Sequence, residues 1–291
     1  MFPGFDRVGL DTGEVTINLV RGGKGPPLLL LHGYPQTHVI WHKIAPRLAE
    51  GFTVIAADLR GYGDSSKPPT TPNHAPYSKR LMAEDMVEIM GQLGYTEFFV
   101  AGHDRGGRVA HRMALDFPQG VRKLAVLDIS PTLKMCEGTD MAFATAYYHW
   151  FFLIQPAPFP ETMIGANPEV YLTKQMGLGG AGMAPFTKEA WAEYVRCFTP
   201  EMIHSSCEDY RAAASIDLEH DRESRLQGQK VQCPLLVLWG KNGVIERCCK
   251  PLEDWGEVSV DVRGKALPGG HYLAEELPEE TYTELRDFFA S

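Results

Sequence analysis

The 291-residue chain predicts an α/β fold, a mostly parallel central sheet flanked by helices with a helical cap inserted into it. Three observations carry that expectation. Near-continuous apolar runs, Pro27 to Leu31, Phe52 to Asp58 and Pro234 to Gly240, read as strands buried on both faces, as in a helix-covered parallel sheet. Helical periodicity falls between the runs, at about 38–49, 79–93, 107–117 and 277–289. From Ser130 to about Lys230 the strand–helix alternation stops and only helix-like segments follow one another.

In chain order, residues 14–20 alternate polar with apolar and read as an edge strand. Pro27-Leu28-Leu29-Leu30-Leu31 leads into His32-Gly33, and the strand 52–58 leads into the glycine-rich loop Arg60 to Ser65. Strand 97–101 is followed by the helix beginning near Gly107, and strand 123–128 ends on Asp128. The last two strands are expected at 234–239 and 258–262. Residues 1–130 and 231–291 are therefore assigned to the core domain and 131–230 to the cap. The cap carries helical patterns at Met141 to Ile154, Glu189 to Phe198 and Met202 to Ile216, with Pro156-Ala157-Pro158-Phe159-Pro160 between the first two.

Composition narrows the function classes. Hydrophobic content of 44% suits a globular protein with a sizeable core. The net charge of −9 is spread along the chain with no basic patch, which argues against a nucleic-acid partner. It does not exclude an anionic small molecule, because a few buried arginines can dominate a local field. Six cysteines without a C-x-x-C pair read as reduced packing residues of a cytoplasmic protein; adjacent Cys248 and Cys249 carry no assigned role. Met1 to Asp6 lacks a basic-then-apolar leader, and no apolar run approaches the ~20 residues that span a bilayer, so no membrane association is expected. His38 and His42 share a helix face, but no glutamate of an H-E-x-x-H motif lies between them, and no metal is expected. There is no phosphate-binding glycine loop, and no cofactor is expected.

The segment that carries chemistry is Gly102-His103-Asp104-Arg105-Gly106. It stands between a strand and a helix and has the form G-x-Nuc-x-G, the turn that holds a nucleophile at a strand's carboxyl end. Serine there would predict acyl transfer. A carboxylate there attacks saturated carbon and leaves an ester on the protein. The alternative is a turn aspartate that merely caps a helix.

These features resemble the α/β-hydrolase fold over essentially the full chain. His32-Gly33-Tyr34-Pro35 resembles the H-G-x-P turn of epoxide hydrolases and haloalkane dehalogenases. The resemblance implies an oxyanion hole from the backbone N–H groups of Tyr34 and Arg105. Triad order in this fold is nucleophile, acid, histidine. His271, in Leu267-Pro268-Gly269-Gly270-His271-Tyr272, is the expected base. No aspartate follows Gly240 at the spacing many relatives use, so Asp128 is assigned as the acid, with Glu246 as the alternative.

Haloalkane dehalogenases carry tryptophan after the nucleophile, where this chain has Arg105, with Arg108 three residues on. Two cations beside the nucleophile keep it ionised and offer fork donors to an incoming carboxylate. The pattern His103 to Arg108 resembles the fluoroacetate dehalogenases. The resemblance extends to the aromatic segment holding His149 and Trp150, and to Tyr210 in Cys207-Glu208-Asp209-Tyr210-Arg211. It implies that these three side chains donate hydrogen bonds to the departing halide, each being a competent donor. Arg112, one turn beyond Arg108, is read as structural or exposed. The expected activity is hydrolysis of fluoroacetate and other haloacetates to glycolate and halide through an Asp104 ester. The small haloacid is the expected partner, and a homodimer is implied by resemblance alone. Two other readings compete: an epoxide hydrolase using Tyr147, Tyr148, Tyr171 or Tyr194 as acids, and a non-catalytic receptor for small carboxylates.

Overall fold

The computed structural model describes residues 1–177 and 181–291. Eight strands form one sheet: β1 (Asp6–Asp11), β2 (Thr16–Gly22), β3 (Pro27–Leu31), β4 (Thr53–Ala57), β5 (Phe98–His103), β6 (Val121–Leu127), β7 (Leu235–Gly240) and β8 (Val262–Leu267). Their order is β1-β2-β4-β3-β5-β6-β7-β8. Strands β3 to β8 pair in parallel, and β2 alone runs the other way, antiparallel to both β1 and β4. The central strands are the apolar runs of the sequence. Leu28 to Leu31, Val54 to Ala57 and Leu124 to Leu127 are buried, as sequestration beneath helices on both faces requires. Burying each leucine, isoleucine or valine among them contributes roughly 1.5–3 kcal/mol.

Several boundaries differ from the sequence reading. The alternating stretch at 14–20 is not the edge: β2 is covered on its outer side by β1. Strand β1, Asp-Arg-Val-Gly-Leu-Asp, has no fully buried residue and so no strong apolar signature. The strand expected at 258–262 begins only at Val262. Val258 ends a helix, Pro251–Val258, anchored by buried Trp255, whose indole N–H donates to the Ile129 carbonyl at 2.8 Å. The helix expected over 38–49 is instead a 3-10 turn (His38–Trp41) and one helical turn (Ala45–Leu48); Pro46 lies at the start of the latter, where a proline is tolerated. Helices Lys79–Gln92, Arg105–Asp116 and Pro278–Ala290 lie close to their expected positions.

Among the described residues, the regular elements between β6 and β7 are helices, the first of them Thr132–Glu137. The aromatic segment 141–154 is two helices, Met141–Ala146 and Tyr148–Leu153, broken at Tyr147 (φ −106°, ψ 40°). Helices Phe159–Gly165 and Pro168–Gly177 follow, in a stretch for which no helix was expected. Lys188–Cys197, Pro200–Ala213 and Ile216–Leu226 complete the series. Helix 200–213 is buried along most of its length and brings Asp209 and Tyr210 over the carboxyl end of β5. Among the described residues no helix is long and apolar enough to cross a membrane.

Candidate active site

Asp104 follows β5 directly, and the next residue starts helix 105–116. Its backbone is held at φ 48°, ψ −113°, a conformation that costs a non-glycine residue about 1–3 kcal/mol and concentrates at functional sites. Tight packing enforces the turn. A Cβ on Gly106 would lie 2.5 Å from the carbonyl oxygens of Leu31 and His32, and one on Gly33 would lie 2.4 Å from the Asp104 Cβ. Only glycine at both positions lets the β3 loop close on the turn. The outcome is a hydrogen bond from the Tyr34 N–H to Asp104 Oδ1 at 3.0 Å. The N-terminus of the following helix adds a favourable dipole for a negative group there.

His271 arrives on the loop after β8. Its Nδ1 lies 2.6 Å from Asp128 Oδ2, and Asp128 Oδ1 accepts from the Gly240 N–H at 2.8 Å. Asp128 is fully buried and, like Asp104, has a positive φ, 49°. Glu246, the alternative acid, is exposed and accepts from the Trp239 indole instead. Burial works against the protonated His271 imidazole, but the hydrogen bond and charge of Asp128, with the charge of Asp104, hold its pKa above the ordinary value. Burial likewise opposes ionisation of Asp104. His271, His103, Arg105 and Arg108 outweigh it and keep the carboxyl below its usual range.

A cavity of about 230 Å³ opens over this group. Tyr34, Asp104, His149, Tyr210 and His271 all line it, as do Tyr147 and Tyr148, so seven of the residues singled out in the sequence share one cavity. The rings form an edge-to-face cluster: Tyr210 stands 5.2 Å from Tyr34 and 5.8 Å from His149, centroid to centroid. Burial lowers the His149 imidazole to about 3, so it is neutral and keeps one N–H. Burial, reinforced by Asp104, pushes the Tyr210 phenol well above its ordinary value.

Arg105, Arg108 and Trp150 are set differently. Arg105 and Trp150 line a second, apolar hollow of about 190 Å³ on the other side of Tyr210. Arg105 stacks on the Tyr210 ring at 4.1 Å and is gripped by Asp209, which accepts from Nε at 2.9 Å and Nη2 at 2.6 Å. Among the described residues Nη1 makes no hydrogen bond. Asp209 also binds Lys79 and, at 2.6 Å, the Tyr62 hydroxyl. Arg108 stacks on Trp150 at 4.6 Å and donates to Thr132 Oγ1 and the Met135 sulfur. It is 3% exposed, its Nε is buried without a partner, and no carboxylate pairs with it among the described residues. Burial, then the charge of Arg105, lowers the pKa of this guanidinium.

Asp209, Tyr62 and Lys79 were not read from the sequence as part of the site; only the fold brings residues 62, 79 and 209 together. Arg112 is structural, bonded to Ser224 at 2.8 Å and paired with Asp116 at 3.3 Å. His38 and His42 do not converge on a common point. His38 pairs with Asp58 at 2.8 Å and His42 with the Val39 carbonyl at 2.8 Å.

Comparison with known proteins agrees with this architecture. The family profile of the alpha/beta hydrolase fold matches residues 26–245. A fluoroacetate dehalogenase of Burkholderia sp. is 48% identical over all of this chain and 95% of its own length. A soluble epoxide hydrolase of Corynebacterium sp. (strain C12) is 35% identical over 94% of this chain and 93% of its own. A solved protein of Nostoc sp. PCC 7120, assigned to the alpha/beta hydrolases, is 60% identical and superposes with a TM-score of 0.97 over 99% of both chains. The chain belongs to the α/β-hydrolase fold family.

Proposed function

We propose that the chain is a hydrolytic haloacetate dehalogenase that converts fluoroacetate to glycolate and fluoride. The observation that carries this reading is Arg108, a buried cation beside the ionised Asp104 with no carboxylate of its own. A buried charge without a partner is costly, and a substrate carboxylate supplies the missing anion. The similarity to a fluoroacetate dehalogenase over the full chain supports the same substrate class.

In this mechanism Arg108, with the free Nη1 of Arg105, binds the carboxylate and sets the α-carbon before Asp104. Asp104 displaces fluoride with its electron pair, forming a glycolyl ester. Fluoride leaves with the C–F electrons and takes hydrogen bonds from His149, Trp150 and Tyr210, which replace part of its hydration. His271, held by Asp128, then removes a proton from water, which attacks the Asp104 ester carbonyl. The Tyr34 N–H that now holds Asp104 Oδ1, with the Arg105 N–H, stabilises the resulting oxyanion. Collapse frees glycolate and restores the carboxylate, with one proton released. The 131–230 cap and the cytoplasmic setting, both read from the sequence, and a homodimer, implied by the family resemblance, belong to this reading. Fluoride and glycolate formation from fluoroacetate tests it. Failure on every haloacetate, with diol formation from a neutral epoxide such as styrene oxide, would replace it with epoxide hydrolysis.

A further inference from the structure

The halide site also has the parts needed for a leaving group that must be protonated. Fluoride leaves as a stable anion and needs only hydrogen bonds. An alkoxide needs a proton. Several phenols surround the cavity, and the structure distinguishes them. Tyr34, Tyr147, Tyr148, Tyr210 and Tyr272 line it. The Tyr34 hydroxyl is engaged with that of Tyr171 at 3.2 Å, and of these five rings only Tyr210 carries a guanidinium over its face among the described residues. Tyr210 lines the cavity with Asp104, stands against His149 and Trp150, and has the Arg105 guanidinium over its ring at 4.1 Å. Burial and Asp104 keep it protonated at neutral pH, and Arg105 is placed to stabilise the phenolate once the proton has gone.

We infer that this site also hydrolyses small 2,3-epoxycarboxylates, of which glycidate is the simplest, to 2,3-dihydroxycarboxylates. The inference rests on the carboxylate-binding role proposed for Arg108. A neutral epoxide gives the arginines nothing to bind. Glycidate carries a carboxylate on the carbon bearing the leaving oxygen, as fluoroacetate carries one on the carbon bearing fluorine, and it has one heavy atom more.

The steps balance. An Asp104 oxygen bonds to C2, the C2–O ring bond breaks, and its electron pair stays on the oxygen attached to C3. That oxygen takes the Tyr210 proton and becomes the C3 hydroxyl. Water then attacks the ester carbonyl. One of its protons passes through His271 to the C2 oxygen as that leaves. The other departs the regenerated Asp104 carboxyl and restores Tyr210. The sum is glycidate plus water giving glycerate.

The test incubates the full chain with racemic glycidate in heavy-oxygen water over many turnovers, with carbon NMR of the product and chloroacetate as a parallel substrate. The expected result is glycerate from one enantiomer in preference, labelled on the C2 hydroxyl, because that oxygen comes from an Asp104 carboxylate exchanged in earlier turnovers. The C3 hydroxyl keeps the unlabelled ring oxygen. 1,2-Epoxypropane, which has methyl in place of carboxylate, should be at least about 30-fold poorer. Tyr210→Phe should lower glycidate turnover by about 10²–10⁴-fold, the range for a lost general acid, and chloroacetate turnover by much less. Chloroacetate hydrolysis with glycidate left intact overturns the inference and leaves the dehalogenase reading standing. Failure on both substrates removes that reading and the inference with it. Label on the C3 hydroxyl, equal turnover of 1,2-epoxypropane, or an equal loss on both acids in Tyr210→Phe also overturns it.

Discussion

Replacing Arg108 with leucine separates binding of substrate from support of the fold. The guanidinium is buried and stacked on Trp150, and its polar neighbours are a hydroxyl and a thioether rather than an acid. Removing it deletes a buried cation with no carboxylate hydrogen-bonded to it, and Asp104 keeps the opposing charges of His271 and Arg105. Arg108→Leu should therefore melt at or above the parent temperature. Its cost should appear with substrate, whose carboxylate loses a desolvated charge partner. Such a loss costs about 2–5 kcal/mol, or roughly 30- to several-thousand-fold in kcat/KM for chloroacetate. Arg105→Leu should behave differently. It leaves Asp209, fully buried, with Lys79 as its only cationic partner among the described residues, and breaking a buried pair costs about 3–5 kcal/mol of stability. Steady-state chloride release and thermal melts of the two variants side by side give both readouts. If Arg108→Leu keeps near-parental kcat/KM, or loses stability as Arg105→Leu does, the division between a binding arginine and an anchored one is wrong.

Three further outcomes follow from the same geometry. His271→Ala removes the base of the second step only, so mass spectrometry after incubation with fluoroacetate should show a stable adduct on Asp104; normal turnover with unmodified protein would remove His271 from the mechanism. His271 must be neutral to act, and its pKa is raised by Asp128, so kcat limited by ester hydrolysis should rise with pH through a value above the ordinary 6.5. Asp128→Asn should move that limb to lower pH and reduce the plateau, while Glu246→Gln should change neither; the reverse would make Glu246 the acid. Trp150→Phe keeps an aromatic face for Arg108 but removes an indole N–H, and fluoride release should fall more than chloride release, since the carbon–fluorine bond needs more assistance. Equal slowing of both would place Trp150 outside the halide site.

How much could be read from sequence follows from what each residue's role depends on. Buried parallel strands declare themselves locally, since Leu28 to Leu31 or Leu235 to Leu238 must be apolar to lie under helices on both faces. The turn at Asp104 was legible because close backbone approach demands glycine at fixed spacing. Edge strands carry little of this signal. Strand β1 has no fully buried side chain, and β8 places Arg263 and Lys265 where they remain accessible. Helix breaks were equally hidden, because apolar residues continue across the break at Tyr147, from Phe143 and Ala146 before it to Trp150 and Leu153 after it. The partners of Arg105 were beyond reach for another reason. Asp209, Tyr62 and Lys79 come from three separate segments, and nothing near position 105 specifies them. The sequence thus supplied two arginines as equivalent clamps, and only packing distinguishes the one already neutralised from the one awaiting an anion.

The central claim is that Asp104 becomes covalently attached to substrate. A single turnover with enzyme in excess over fluoroacetate in heavy-oxygen water, followed by proteolysis and mass spectrometry of the peptide containing residue 104, tests it most directly. Water attacks the ester carbonyl, so the label should enter the Asp104 carboxylate while the first glycolate formed carries none. Label in the glycolate with an unlabelled Asp104 would mean that water displaces the halide directly, and the covalent account would fail.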